Sequence, residues 1–204
     1  ALSFGILNKN ASFDWFIDSA RVSQAVRQHI GRGLRLLAPE KLAKTLNAIK
    51  AESLAYDPSH TPAWFGAQLV HANIHRQPDP CALPKANKTK AEIKATTEAH
   101  IMDGTALCNF LAWLDKNSRA GKLSEIDAAK KAEAYRAATG KLLDLSFDTI
   151  AGAGPHGAIV HYRVTEKTNR LLKSGDLFLI DSGGQYQKGT TDVTRTVFID
   201  APKG

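Results

Sequence analysis

The sequence predicts an α+β fold in two parts, and three observations carry that prediction. A proline-rich stretch near residue 84 divides the chain. The part beyond it opens with two amphipathic helical patterns. Only after about Leu145 does the periodicity change to short strand-like runs. Helices first and strands afterwards imply helices covering one face of a largely antiparallel sheet.

Before the division, Leu2–Leu7 and Ser12–Ile17 read as strands joined by a turn over Asn8–Ala11. Ala20, Val22, Val26 and Ile30 recur at near-helical spacing, so Ser19–Ile30 is expected to be a helix stopped by Gly31 and Gly33. Leu34–Ala38 reads as a strand and Pro39–Lys50 as a helix with Leu42, Leu46 and Ile49 on one stripe. Residues 1–84 therefore form one mixed α/β part. Residues 76–88, RQPDPCALPKANK, hold three prolines and little periodicity, the composition of a linker.

In the part from 85 to 204, Ile93, Ile101, Leu107, Phe110, Leu111 and Leu114 suggest a long helix over Thr89–Asn117. A second helix is expected over 124–139, with Ser124 as its cap, Asp127 in its first turn and Gly140 after its end. Phe147–Ile150, Ala158–Tyr162, Leu177–Asp181 and Val193–Ile199 read as strands.

The composition narrows the function classes. The chain is 204 residues long, 43% hydrophobic, with formal net charge +7. Its Lys and Arg residues are dispersed, and the densest stretch, Lys85–Lys94, has no interleaved aromatics, so a solvated helix face is the reading and no nucleic-acid partner is expected. No run is long and apolar enough for a membrane span, and ALSFGILNKN has neither the basic start nor the cleavage pattern of a signal peptide, so the expectation is a cytoplasmic protein. Cys81 and Cys108 are too few for a disulfide framework and read as reduced thiols, Cys108 in the core and Cys81 in the linker. Ala1 opens directly into an apolar segment without a methionine, which reads as a trimmed start.

The chemistry concentrates in GDLFLIDSGGQYQKGTTDVTRTVFID, residues 175–200. Asp181 ends the apolar run Leu177–Ile180, and Asp192 leads into the next one. A carboxylate beside a buried strand is costly unless a cation or several donors compensate it. Gly183, Gly184 and Gly189 between them allow one strand to turn and return, bringing two hard oxygen ligands together, as Mg²⁺- or Mn²⁺-dependent hydrolases require. Asp-Ser-Gly is also good turn chemistry, so spacing alone leaves metal ligands and turn-capping aspartates both open. His161 is expected on a strand, sharing a face with Ile159, either as a hydrogen-bonded core histidine or as an acid–base group.

Other patterns are set aside. Gly152, Gly154 and Gly157 spell G-x-G-x-x-G, but Pro155 interrupts it and no helix is expected to follow. His71, His75 and Cys81 lack a fourth zinc ligand, and Ser182 lacks a nucleophile elbow. Arg195 reads as a structural partner for a carboxylate.

Three segments, GPHGAIVHY (154–162), LIDSGGQY (179–186) and GTTDVTRT (189–196), resemble in order and spacing the pita-bread metallopeptidases, and within them the Xaa-Pro aminopeptidases, also called aminopeptidase P. The resemblance implies a partial pita-bread catalytic domain over 85–204 preceded by part of a creatinase-N-terminal-like domain. It implies that Asp181 binds one metal, that Asp192 bridges two, and that His161 approaches the scissile bond. The implied cofactors are two divalent ions, manganese by expectation. The implied substrate is a peptide with proline in second position, and the complete protein is expected to be a homodimer. The family's remaining ligands, one histidine and two glutamates, lie further on than Asp192, after which only Asp200 offers a carboxylate. The 204-residue chain by itself is thus expected to be inactive and prone to oligomerise. A non-enzymatic pita-bread binding module is the alternative reading, and a creatinase-like amidinohydrolase a weaker third.

Overall fold

The computed structural model describes residues 3–31 and 33–199. Leu2, where the first strand is expected to begin, and Asp200 lie outside them. The chain divides into two compact units, Ala1–Asn87 and Lys88–Gly204.

The first unit begins with β1 (Phe4–Leu7) and β2 (Phe13–Phe16), paired antiparallel around a turn closed by the Asn8 amide donating to the Ser12 carbonyl at 2.8 Å. A 3-10 turn, Ser19–Arg21, and helix α1 (Gln24–Ile30) occupy the expected single helix. Ser23 interrupts it by capping α1, its hydroxyl accepting from Val26 N at 3.3 Å. The break shifts the helical phase, so Val22 is buried while Val26 and Ile30 are exposed. Strand β3 (Leu34–Leu37) runs parallel to β2. Their register sets Asp14 opposite Arg35, whose guanidinium holds the buried Asp14 carboxyl below its usual range. Helix α2 (Lys41–Asn47) buries Leu42 and Leu46, as its stripe requires. It is followed by β4 (Ala51–Tyr56), α3 (Ala63–Gln68) and β5 (Ala72–Arg76), with β4 and β5 parallel. Phe16, Leu42, Leu46 and Leu69 form the unit's core. The proline-rich stretch is not wholly irregular, because a short helix α4 (Ala82–Ala86) forms in it, burying no residue.

The second unit opens with α5 (Lys90–Ser118), started by a capping box in which Thr89 and Glu92 satisfy each other's backbone N–H groups. Helix α6 (Glu125–Ala137) starts the same way with Ser124 and Asp127. The buried stripe of α5 runs Ala99, Asp103, Ala106, Leu107, Phe110, Leu114 and Ser118. Ile93 precedes it and Ile101 lies roughly 120° around the helix from Leu107, so both are exposed. Cys108 is exposed too, contrary to the core position expected from sequence.

Then come β6 (Asp144–Leu145), β7 (Ile150–Ala153), β8 (Leu177–Ser182), β9 (Gly184–Tyr186), β10 (Gly189–Thr190) and β11 (Val193–Phe198). β8 lies between β7 and β11, antiparallel to both. Phe178 and Ile180 of β8, with Ala151 and Ala153 of β7, pack against Leu107, Phe110 and Leu114 of α5 and Ala128 and Ala132 of α6. The alternate residues Leu177, Leu179 and Asp181 point to the opposite face, which is open: Leu177 is 56% exposed. This is helices on one face of an antiparallel sheet, as the order of the patterns predicts. Two expected strands are exceptions: residues 147–149 lie in the bend between β6 and β7, which begins only at Ile150, and Ala158–Tyr162 forms no strand. A 3-10 turn (Gly154–Ala158) and a further turn replace the latter.

Candidate metal centre and the loop beside it

Strands β8 and β9 return through β10 and β11 as two antiparallel ladders, β8 with β11 and β9 with β10, that share one register. Val193 pairs with Ser182 and Thr194 with Asp181, and on the far side Thr190 pairs with Gln185 and Gly189 with Tyr186. Between these ladders the Thr191 amide donates to the Gly184 carbonyl at 2.9 Å, keeping the same register. Asp192 therefore falls opposite Gly183, diagonal to Asp181 and on the same, open face. Such diagonal neighbours are about 7–8 Å apart at Cα, within mutual reach of one divalent ion for two aspartates. Gly183 is a packing requirement. A Cβ there would lie 1.9 Å from the Thr191 carbonyl oxygen and 2.4 Å from Ser146 Oγ.

Oδ1 of Asp181 is buried and has no hydrogen-bond partner, whereas Asp192 is exposed. A buried, unpaired carboxylate oxygen is expensive in an apolar surrounding, and a hard cation is the group that relieves it. Asp181 and Asp192 thus have the chemistry to hold Mg²⁺ or Mn²⁺. No group of three or more His, Cys, Asp or Glu side chains suited to a metal occurs among the described residues. His71, His75 and Cys81 are exposed and assemble no such group.

The reverse side of β8 is fixed by charges that periodicity alone did not single out. Ser182, beside Asp181, points into the unit, where Arg136 Nη1 donates to its hydroxyl at 3.0 Å and Nη2 to its carbonyl at 3.4 Å. The same guanidinium donates to both oxygens of Asp103, from Nε at 2.7 Å and from Nη2 at 3.3 Å. Tyr186 of β9 donates to Asp103 Oδ1 at 2.6 Å. Asp103 and Arg136 are each 1% exposed. Burial pushes the Tyr186 phenol well up, and the neighbouring carboxylate adds to the shift, so it remains a donor. The signal was present in the sequence, since Asp103 stands four residues from both Ala99 and Leu107 on the buried stripe and Arg136 four residues after Ala132.

His161 sits in a turn, exposed, with φ 54°, and not on a strand face shared with Ile159. A left-handed conformation costs a non-glycine residue roughly 1–2 kcal/mol, so its neighbours must enforce it. The 3-10 turn that precedes His161 lies on the face of Leu179: a Cβ on Gly152 would meet His156 C at 2.8 Å, and Gly152 pairs with Leu179. The anchor is Glu125, fully buried at the start of α6. Its Oε1 accepts from Ala153 N and from His156 Nδ1, both at 2.8 Å. Its Oε2 accepts from Arg170 N at 3.2 Å and from the Tyr162 hydroxyl at 3.3 Å. The His156 and Tyr162 rings stack with centroids 4.4 Å apart. Arg195 is exposed and donates to the Thr194 carbonyl at 2.7 Å. It pairs with no carboxylate among the described residues, which corrects its expected role.

Comparison with known proteins identifies both units. Residues 1–92 match the Creatinase/Prolidase N-terminal domain and residues 94–204 match Metallopeptidase family M24. The Xaa-Pro aminopeptidase ApepP of Drosophila melanogaster is 41% identical over 124 residues, covering 60% of this chain and 20% of that protein. A probable Xaa-Pro aminopeptidase P of Talaromyces stipitatus is 31% identical over 204 residues, covering 93% of this chain and 31% of its own. The crystal structure of X-prolyl aminopeptidase from Caenorhabditis elegans, described as a cytosolic enzyme with a di-nuclear active site, superposes with TM-score 0.79 at 28% identity over 94% of this chain and 33% of that one. The chain spans about a third or less of the length of these relatives. The pita-bread assignment made from three short segments is thereby supported along the whole sequence, and the chain belongs to metallopeptidase family M24.

Proposed function

We propose that this chain is part of a metal-dependent aminopeptidase that releases an N-terminal residue preceding proline, with residues 85–204 contributing to catalysis and residues 1–84 a non-catalytic domain. The observation that carries the reading is the buried, unpaired Oδ1 of Asp181, set diagonally from Asp192 on the open face of the unit that matches family M24.

In this reading Asp181 and Asp192 hold the metal ions, manganese being the expected element. A divalent pair supplies Lewis-acid polarisation of the scissile carbonyl and of water. The protein's own part is electrostatic and positional. The two carboxylates set the negative charge that retains the cations, and the Gly183–Thr191 contact fixes the spacing between them. His161, on the loop that follows β7, is the group that would hydrogen-bond the peptide or shuttle a proton next to the bond being broken. A homodimeric, cytoplasmic complete protein fits the same reading, the C. elegans relative being described as cytosolic.

Two carboxylates leave most positions around a divalent ion to water. These 204 residues alone are therefore expected to bind Mn²⁺ weakly and to cleave an Xaa-Pro peptide no faster than Mn²⁺ alone. Electron paramagnetic resonance of free Mn²⁺ during titration tests the ligands. Asp181→Asn and Asp192→Asn should each remove the weak binding, and binding kept by Asp181→Asn would sink the assignment. Turnover well above the metal control would overturn the predicted inactivity.

A further inference from the structure

The exposed His161 makes no hydrogen bond of its own among the described residues, yet its backbone is held in a left-handed conformation. Something must hold the turn around it, and the contacts converge on one atom group. Glu125 receives donors from four residues, Ala153, His156, Tyr162 and Arg170, which bracket the loop from its first residue to the segment after it. The position of Glu125 is itself rigid. Its amide donates to the Arg170 carbonyl at 3.0 Å, Leu172 N donates to the Leu123 carbonyl at 2.8 Å, and the Ile126 amide donates to Asn169 Oδ1 at 3.1 Å. A carboxylate only accepts, so His156 must present Nδ1–H, which fixes its ring orientation and leaves Nε2 directed away from the pair. That oriented ring is the platform on which Tyr162 stacks, and Tyr162 is bonded to His161 through the chain. Burial raises the Tyr162 phenol above its ordinary value, so its hydroxyl stays a donor, shared between Glu125 Oε2 at 3.3 Å and the Thr168 carbonyl at 3.4 Å.

We propose that Glu125 is the positioning residue for His161, acting through His156 and Tyr162 to hold the turn at 159–162. The functional meaning rests on the reading that His161 works on substrate, but the structural claim is tested without any peptidase assay. Glu125→Gln keeps the side chain's size and replaces one acceptor oxygen by an amide that repels the donors facing it. By NMR on the whole chain, amide exchange at Ile159 and Tyr162 should accelerate at least tenfold relative to α5 amides. The Cα and Cβ shifts of His161 should move from left-handed toward random-coil values. Asp103→Asn is the control: it weakens the unit elsewhere, so all amides should accelerate together and the His161 shifts should stay. His156→Phe, which keeps the ring stack and removes the Nδ1 donor, should give a smaller local acceleration of about threefold, and it decides the question if Glu125→Gln does not fold. Unchanged His161 shifts in both variants, or loop amides that accelerate only in step with α5, would overturn the proposal. Because neither readout involves catalysis, failure here leaves the peptidase reading standing, and failure of that reading leaves this result intact.

Discussion

Asp103→Asn removes one charge from the most deeply buried ionic group in the second unit. The guanidinium of Arg136 would keep its bonds to Ser182 and lose its counter-charge, and the oxygen that accepts from Arg136 Nη2 would become an NH2 facing that donor. Removing one partner of a buried pair typically costs 3–5 kcal/mol, because the remaining charge is uncompensated. Both groups are 1% exposed, so solvent screening does little to reduce that figure. For a unit of this size 1 kcal/mol corresponds to roughly 4 °C in Tm, which puts the expected drop on the order of 10–20 °C. Trp113 is the tryptophan of the second unit, so Trp15→Phe and Trp64→Phe leave it as the reporter of urea unfolding. The partner experiment is Asp103→Leu with Arg136→Met, which replaces the pair by apolar groups. It should be less destabilised than either single change, since the cost lies in the unpaired charge. A loss under about 1 kcal/mol for Asp103→Asn, or a double variant as poor as the sum of the singles, would refute the reasoning.

Gly183→Ala should prove severe, because its Cβ would fall 1.9 Å from a backbone oxygen that cannot rotate away. A loss of roughly 3 kcal/mol or more in urea titration is expected, together with loss of any Mn²⁺ binding in the folded fraction, and a fold of wild-type stability would contradict the ribbon's register. In the first unit, hydrogen bonds from His60 and from the Asp79 and Ser59 amides hold the Asp57 carboxyl down at about 2, and the same pairing raises His60. The His60 contribution is complete below its unfolded value of about 6.5 and is lost as pH rises through its folded value. The Asp57 contribution is present above about 3.9 and is lost as pH falls toward its folded value. This pair should therefore favour folding most between about pH 4 and 6.5. A His60 resonance titrating at or below about 6.5, or a His60→Ala variant whose thermal midpoint keeps the wild-type slope from pH 6 to 8, would contradict this.

What the sequence made legible follows from where local rules decide the outcome. Ser124 and Asp127 marked the start of α6, because they meet their own helix's amides, and Thr89 and Glu92 form the same box at the start of α5. The ribbon bearing Asp181 and Asp192 was legible because alternation and glycines determine a hairpin nearly by themselves. The turn at His161 was not. Ala158–Tyr162 alternates like a strand, and what overrides it is Glu125, more than thirty residues earlier, whose reach no local pattern records. Cys108 and Ile101 were misplaced for a related reason. An apolar residue on a long helix is buried only if its phase meets the sheet, and α5 turns its Leu107–Phe110–Leu114 side to the core.

The register of the ribbon also bears on how this sequence can change over time. Loops between strands are where insertions usually accumulate, and the tip at Gln187 and Lys188 looks like such a place. Yet both carboxylates fall on one side only because the β8–β11 and β9–β10 ladders share one register. One extra residue absorbed anywhere in either arm would turn Asp192 to the opposite side of the sheet while leaving every amino acid of the site in place. Length in this segment is therefore under as much constraint as identity. A homologue that keeps both aspartates but differs by one residue between them is expected to need a bulge that restores the register, or to lack the proposed metal site.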